Sequence, residues 1–143
     1  METIATLSLV PDHDASTQAL AWLESIAEQL RWPRRTAHKL KLCLDEALTN
    51  VALHGFKDHT GQPHIRLVLM HEASNIMLDI IDNGLPFDPT AQAAAPLAAT
   101  LDETGIGGHG LRLMRHYLQD IQYHRTEQHN HLRLVAAIDP VEN

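Results

Sequence analysis

The spacing of apolar residues changes along this chain from alternation to a helical period and back, and each change marks an element. Ile4 to Val10 alternates loosely and contains β-branched residues, which predicts a first strand. After Pro11-Asp12-His13-Asp14, the residues Leu20, Leu23, Ile26, Ala27 and Leu30 recur at steps of three and four, predicting a helix capped by Asp14 or Ser16. Pro33 stands at a favoured first-turn position and opens a second helix. Its pattern runs from about Thr36 to about His54, where Gly55 closes it. His64 to Met70 and Ile76 to Ile81 read as a hairpin of two strands around the polar turn Glu72-Ala73-Ser74-Asn75. Gly105 to Gly110 leads into Leu111, Leu113, Met114 and Leu118, a short helix entered through glycines. Two last strands, about Ile121 to Arg125 and about His131 to Ile138, flank a polar turn containing Asn130. This order predicts an α+β two-layer sandwich, a mainly antiparallel mixed sheet with helices on one face.

Composition narrows the classes. A chain of 143 residues is expected to form one domain over residues 1–143. Eleven Lys plus Arg against eighteen Asp plus Glu give a net charge of −7, and no basic run concentrates the positive field that nucleic acid requires. The single cysteine, Cys43, lies inside the second helical pattern and reads as a small core filler. There is no basic leader followed by an apolar run and no long apolar segment, so the expectation is a cytoplasmic protein without a membrane anchor. Of eleven histidines only His124, His129 and His131 crowd together, around the last hairpin, and they read as solvated side chains rather than ligands. The Ala/Pro/Thr-rich passage from Pro89 to Thr104 lacks periodicity and reads as a mobile loop with no basic residue.

Three polar motifs carry the candidate chemistry. Glu46, Asn50 and His54 stand four residues apart on the second helix, so at about 100° per residue they stay within roughly 80° of one another. They border the buried stripe of Leu40, Leu44, Ala47, Leu48 and Val51. Such a row allows a solvated helix flank, a metal site or an active site. An Asn carboxamide suits a magnesium ion that takes few protein oxygens, Glu46 is placed to accept a proton, and His54 or Lys57 to steady phosphate charge. Asp82-Asn83-Gly84 ends a strand and reads either as a turn or as a carboxylate that accepts the exocyclic amine of adenine, with Gly84 admitting the base. The run Gly105-Ile106-Gly107-Gly108-His109-Gly110 allows a hinge or a phosphate cradle at a helix N-terminus.

Taken in order, Glu46-x-x-x-Asn50-x-x-x-His54-Gly55, then Asp82-x-Gly84-x-Pro86-Phe87-Asp88, then Gly105-x-Gly107-Gly108-x-Gly110-Leu111 resembles the three nucleotide boxes of the GHKL superfamily. The chain is most similar to its short single-domain branch, the bacterial anti-sigma factor serine/threonine kinases with a histidine kinase-like ATPase domain. The resemblance implies a Bergerat-type ATP-binding fold with ATP and Mg2+ as cofactors. It places Asn50 on magnesium, Asp82 on adenine and Gly84 beside the base. Around the nucleotide it implies His54, Phe87, Gly105, Ile106, Gly107, Gly108, His109, Gly110 and Leu111, with Glu46 as catalytic base. On a late strand, where many members carry a Thr near adenine, the nearest positions here are Leu132, Arg133 and Leu134.

The implied activity is phosphorylation of a serine or threonine on a small antagonist protein, with nucleotide-dependent control of a partner such as a sigma factor and a homodimer formed through the sheet. The competing expectation is a non-catalytic module of the same fold that uses ATP to choose its partner. A sensor histidine kinase would need a dimerising helical pair, for which there is no room before Pro33. A stand-alone ATP hydrolase would differ only in placing water at Glu46.

Overall fold

A computed structural model describes residues 2–56, 61–91 and 107–140. Its elements run β1 (Glu2–Leu9), α1 (Ala15–Gln29), α2 (Arg34–His54), β2 (Ile65–Glu72), β3 (Asn75–Asp82), a 3-10 turn at Pro89–Ala91, α3 (Gly107–Tyr117), β4 (Asp120–Arg125) and β5 (Asn130–Ala137). The loop reading for Pro89 to Thr104 holds a short helical turn at its start, and residues 92–106 lie outside the described residues.

The strands form one sheet in the order β1-β2-β3-β5-β4. All four ladders are antiparallel, in keeping with the mainly antiparallel sheet expected. β4 does run in the same direction as β3, but β5 is inserted between them, so no parallel pair forms among the described residues. Period-two alternation decides which side chains turn inward. Leu67, Leu69, Leu78, Ile80, Leu132, Leu134 and Ala136 are buried and meet Leu23 and Ile26 of α1, Leu40, Cys43, Leu44, Ala47 and Leu48 of α2, and Met114 of α3. Each fully buried leucine or isoleucine contributes about 1.5–3 kcal/mol.

At α2 one helix boundary differs from the reading of the sequence and the other matches it. Pro33 is the N-cap of α2 with φ −54° and ψ 146°, one residue outside the helix, because an extended ψ lets the chain enter from the α1 turn. Gly55 closes α2 with φ −83°, in the right-handed region, so its lack of a side chain serves close approach rather than a left-handed turn. At the far end of the helix, Thr36 and Lys39 are buried and hold the chain's last described residues. Lys39 Nζ lies 2.8 Å from Asp139 Oδ2, Thr36 Oγ1 donates to the same oxygen at 2.8 Å, and the Asp139 amide donates to Thr36 Oγ1 at 2.8 Å. Cys43 is fully buried, and burial, reinforced by the Glu46 carboxylate and opposed by Lys39, pushes its thiol up to about 12.

Candidate functional site

Glu46 and Asn50 project from α2 toward the first turn of α3, which Gly107, Gly108 and His109 open and Gly110 completes. A Cβ at Gly110 would collide with Glu46 Oε2 and come within 3.8 Å of Asn50 Nδ2. The glycine is therefore what allows a helix N-terminus, with its unpaired N–H groups, to sit directly over a carboxylate and a carboxamide. Asn50 is only 5% exposed and its Oδ1 is buried without a hydrogen-bond partner. Leaving such an oxygen unsatisfied costs about 1–3 kcal/mol, so the position favours a ligand that would bind it. Gly105 and Ile106 fall outside the described residues, and the side chain of Leu111 is buried in the core.

One turn further along α2, His54 leaves this pair and stacks on Phe87, ring centroids 4.2 Å apart and 13° from parallel. The loop after β3 thus lies over the C-terminal turn of α2. Beneath it, Gly84 approaches Gly55 so closely that the Leu85 amide donates to the Gly55 carbonyl at 2.6 Å. Asp82, 4% exposed, ends the inward row of β3 and accepts the Gly84 amide on Oδ1 at 2.9 Å. Asn50, Val51, Gly55, Asp82, Phe87, Tyr123, Asn130 and Leu132 line a cleft between α2 and the ends of the strands.

Three polar residues in or beside this cleft lie outside the three sequence motifs. Asn130, 4% exposed, faces Asp82 across the β3–β5 ladder and donates Nδ2 to Asp82 Oδ1 at 3.0 Å. Tyr123 of β4 donates its hydroxyl to Asn130 Oδ1. Burial, with Asp88 and Asp82 adding and Arg125 opposing, pushes that phenol up, which keeps it a donor. Arg125 donates to the Gly84 carbonyl at 2.8 Å. The position beside Asp82 is thus taken by Asn130 rather than by Leu132, Arg133 or Leu134. Of these, Leu132 lines the cleft, Leu134 is core, and Arg133 forms a two-pronged pair with Asp79 at 2.7 and 2.9 Å. A signal was available: Asn130 is in phase with Leu132, Leu134 and Ala136, the inward row of β5.

The histidines near the last hairpin form a larger group than the sequence suggested. His124 and His131 stack with centroids 4.4 Å apart, His129 lies 6.3 Å from His131, and His64 from the start of β2 joins at 5.5 Å from His129. Among the described residues, no three His, Cys, Asp or Glu side chains are arranged to hold a metal ion.

A sequence profile for the histidine kinase-like ATPase domain matches residues 9–136. The chain belongs to the histidine kinase-like ATPase domain family. Its relatives within that family include the serine/threonine-protein kinase BtrW of Bordetella bronchiseptica, 43% identical over 136 residues, 94% of each chain. The anti-sigma F factor of Priestia megaterium is 27% identical over 88 residues, 62% of this chain and 60% of that one. Among solved structures, the RsbU and RsbW domains of Rv1364c from Mycobacterium tuberculosis share the fold with a TM-score of 0.66 at 12% identity. The match covers 96% of this chain, which spans about a third (34%) of that one. The α+β sandwich with an ATPase-type sheet and the anti-sigma kinase-like relatives agree with the resemblance read from the three motifs. No helix among the described residues is long and apolar enough to cross a membrane.

Proposed function

We propose that this chain binds Mg–ATP in the cleft between α2 and the ends of the strands, with the phosphates at the N-terminus of α3, and transfers the terminal phosphoryl group to a serine or threonine hydroxyl of a small antagonist protein. The observation that carries this reading is the placement of Glu46 and the orphaned Asn50 Oδ1 together under the glycine-led N-terminus of α3. Asn50 supplies a neutral, buried oxygen, the donor type that suits a hard divalent cation keeping most of its other sites for phosphate and water. Glu46 supplies a carboxylate able to take the proton of an attacking hydroxyl. The α3 N–H groups and dipole stabilise charge on phosphate oxygens, while Asp82 receives the adenine amine and Phe87 with His54 forms an aromatic wall. Bound Mg–ATP supplies the phosphoryl group, and the chain's contribution to transfer is positioning and charge stabilisation. The similarity to a named serine/threonine kinase along 94% of both chains supports transfer to protein rather than to water.

The anti-sigma F relatives support a second partner, a sigma factor, and on the present reading the bound nucleotide sets which partner is held. The test combines purified protein, magnesium, labelled ATP and a candidate antagonist domain. Label moves to the antagonist with the native protein and falls about 10²–10⁴-fold in Glu46→Gln, which still binds ATP. Tight ATP binding with no transfer by the native protein would sink the kinase reading and leave a nucleotide-gated binding module.

A further inference from the structure

The best-connected polar side chain in the cleft belongs to a residue outside the three motifs. An Asn carboxamide offers two donors and two acceptor positions. In Asn130 all four are engaged. Nδ2 donates to Asp82 Oδ1 at 3.0 Å and to the Leu85 carbonyl at 2.8 Å, while Oδ1 accepts from the Tyr123 hydroxyl and from the Phe87 amide at 3.3 Å. Those partners sit on three separate pieces of chain: the end of β3, the loop that carries the aromatic wall, and β4. One buried side chain therefore fixes the base-recognising carboxylate and the loop over it as a unit.

The consequence for Asp82 is directional. A carboxylate has two chemically equivalent oxygens, and a free one turns about its last bond. Here the Gly84 amide and Asn130 Nδ2 both donate to Oδ1. That choice distinguishes the two oxygens and leaves Oδ2 for a donor arriving from the cleft. Arg125 holds the Gly84 carbonyl, so the peptide unit beside the site is clamped from β4 as well.

We propose that Asn130, braced by Tyr123, is a positioning and specificity residue that orients Asp82 toward the exocyclic amine of adenine. The proposal rests on the ATP-site reading above and adds a residue to it. Its amide must be an uncharged donor, and that requirement makes it testable. In Asn130→Asp, two carboxyl groups would face each other at about 3 Å and share one proton, which their mutual repulsion retains to a higher pH than an isolated carboxyl would. A protonated Asp at position 130 reproduces the donor, whereas an ionised one repels Asp82 and opens the network.

The experiment measures equilibrium binding of ATP and of purine riboside triphosphate, which lacks the amine, by the whole chain with magnesium between about pH 5 and pH 8. Each variant is referred to the native protein at the same pH, which removes the titration of the nucleotide itself. For Asn130→Asp the expected ATP affinity is near native at the acid end and about tenfold or more weaker at the alkaline end, with the preference for ATP over the analogue lost in parallel. Tyr123→Phe, a milder change, is expected to reduce that preference a few-fold. Should Asn130→Asp not fold, this second variant decides. A pH-independent affinity ratio in a folded Asn130→Asp, or a native preference in Tyr123→Phe, overturns the proposal. Asp82→Asn separates the two layers: if it keeps the native preference for ATP, the adenine reading itself fails, and if it loses the preference while the Asn130 and Tyr123 variants keep theirs, only the present inference fails.

Discussion

Gly84 passes Gly55 so closely that a Cβ added at residue 84 would stand 2.5 Å from the Gly55 carbonyl oxygen and 2.9 Å from its Cα. Both neighbours are backbone, so no side chain can swing aside to make room. Gly84→Ala must push the end of α2 away from the end of β3, at a cost of about 1–3 kcal/mol. Denaturant unfolding is expected to show that loss, and calorimetry a drop in ATP affinity of about tenfold or more as Asn50 and Asp82 separate. Unchanged affinity would show that the site does not depend on this approach.

Gly110 makes the opposite kind of contact. The obstacle to a Cβ there is Glu46 Oε2, the mobile end of a long side chain, which can turn away. Alanine is also a better helix former than glycine by about 1 kcal/mol. Gly110→Ala is therefore expected to keep or raise the melting temperature while phosphoryl transfer falls about 10²-fold, because the displaced carboxylate no longer faces the incoming hydroxyl. A stabilised variant with native turnover would remove Glu46 from the mechanism.

What the sequence disclosed, and what it withheld, follows from the range of each interaction. The three motifs and all eight principal elements come from local periodicity and turn chemistry, so they are legible without the fold. Pairing of β3 with β5 is not local, and with it went the meeting of Asp82 and Asn130, which are 48 residues apart. Each ends the inward row of its strand as a polar residue after several apolar ones. Extending the alternation of Leu132, Leu134 and Ala136 back by one step points Asn130 inward, yet only the strand order says what it meets. The tie between Thr36, Lys39 and Asp139 is hidden for the same reason, since 103 residues separate Thr36 from Asp139.

That tie makes a prediction about acid. Burial alone would raise the Asp139 carboxyl, but hydrogen bonds from Lys39 and Thr36 and the charges of Lys39 and Arg35 outweigh it and hold the group below its ordinary 3.8. A carboxyl depressed by folding contributes stability above its unfolded value and loses it as pH falls through the folded one. Asp139→Asn is expected to lower stability at neutral pH by about 3 kcal/mol, since it leaves the Lys39 ammonium buried without a counter-charge. It should also flatten the loss of stability below about pH 4, which urea titrations at successive pH values would read directly.

His131 shifts in the same sense by another route. Burial first, then the neighbouring His124 and His129, hold its imidazole below 6.5, with Asp79 and Asp82 opposing. A base depressed by folding is neutral in the native state, so its contribution is present above about pH 6.5 and lost as pH falls through the lowered value. His131→Gln is expected to weaken this part of the acid response, as followed by melting temperature across mildly acidic pH. A response identical to that of the native protein would place the titration elsewhere.

The β2–β3 hairpin turns through only two residues, since Glu72 pairs with Asn75, and Ala73 adopts φ 54° there. The left-handed region costs a residue with a Cβ about 1–2 kcal/mol and costs glycine little. Ala73→Gly is expected to raise stability by up to about 1 kcal/mol without touching nucleotide binding, measured by thermal melting beside a binding isotherm.

Cys43, sealed under the same helix that presents Glu46 and Asn50, gives the molecule an internal clock. Thiol reagents attack the thiolate, and a thiol held near 12 with no exposed surface offers almost none while the chain is folded. Its modification therefore counts the openings of α2 from the sheet, one event at a time. A ligand that fastens the opposite edge of that helix will slow the count in proportion to how tightly it is held.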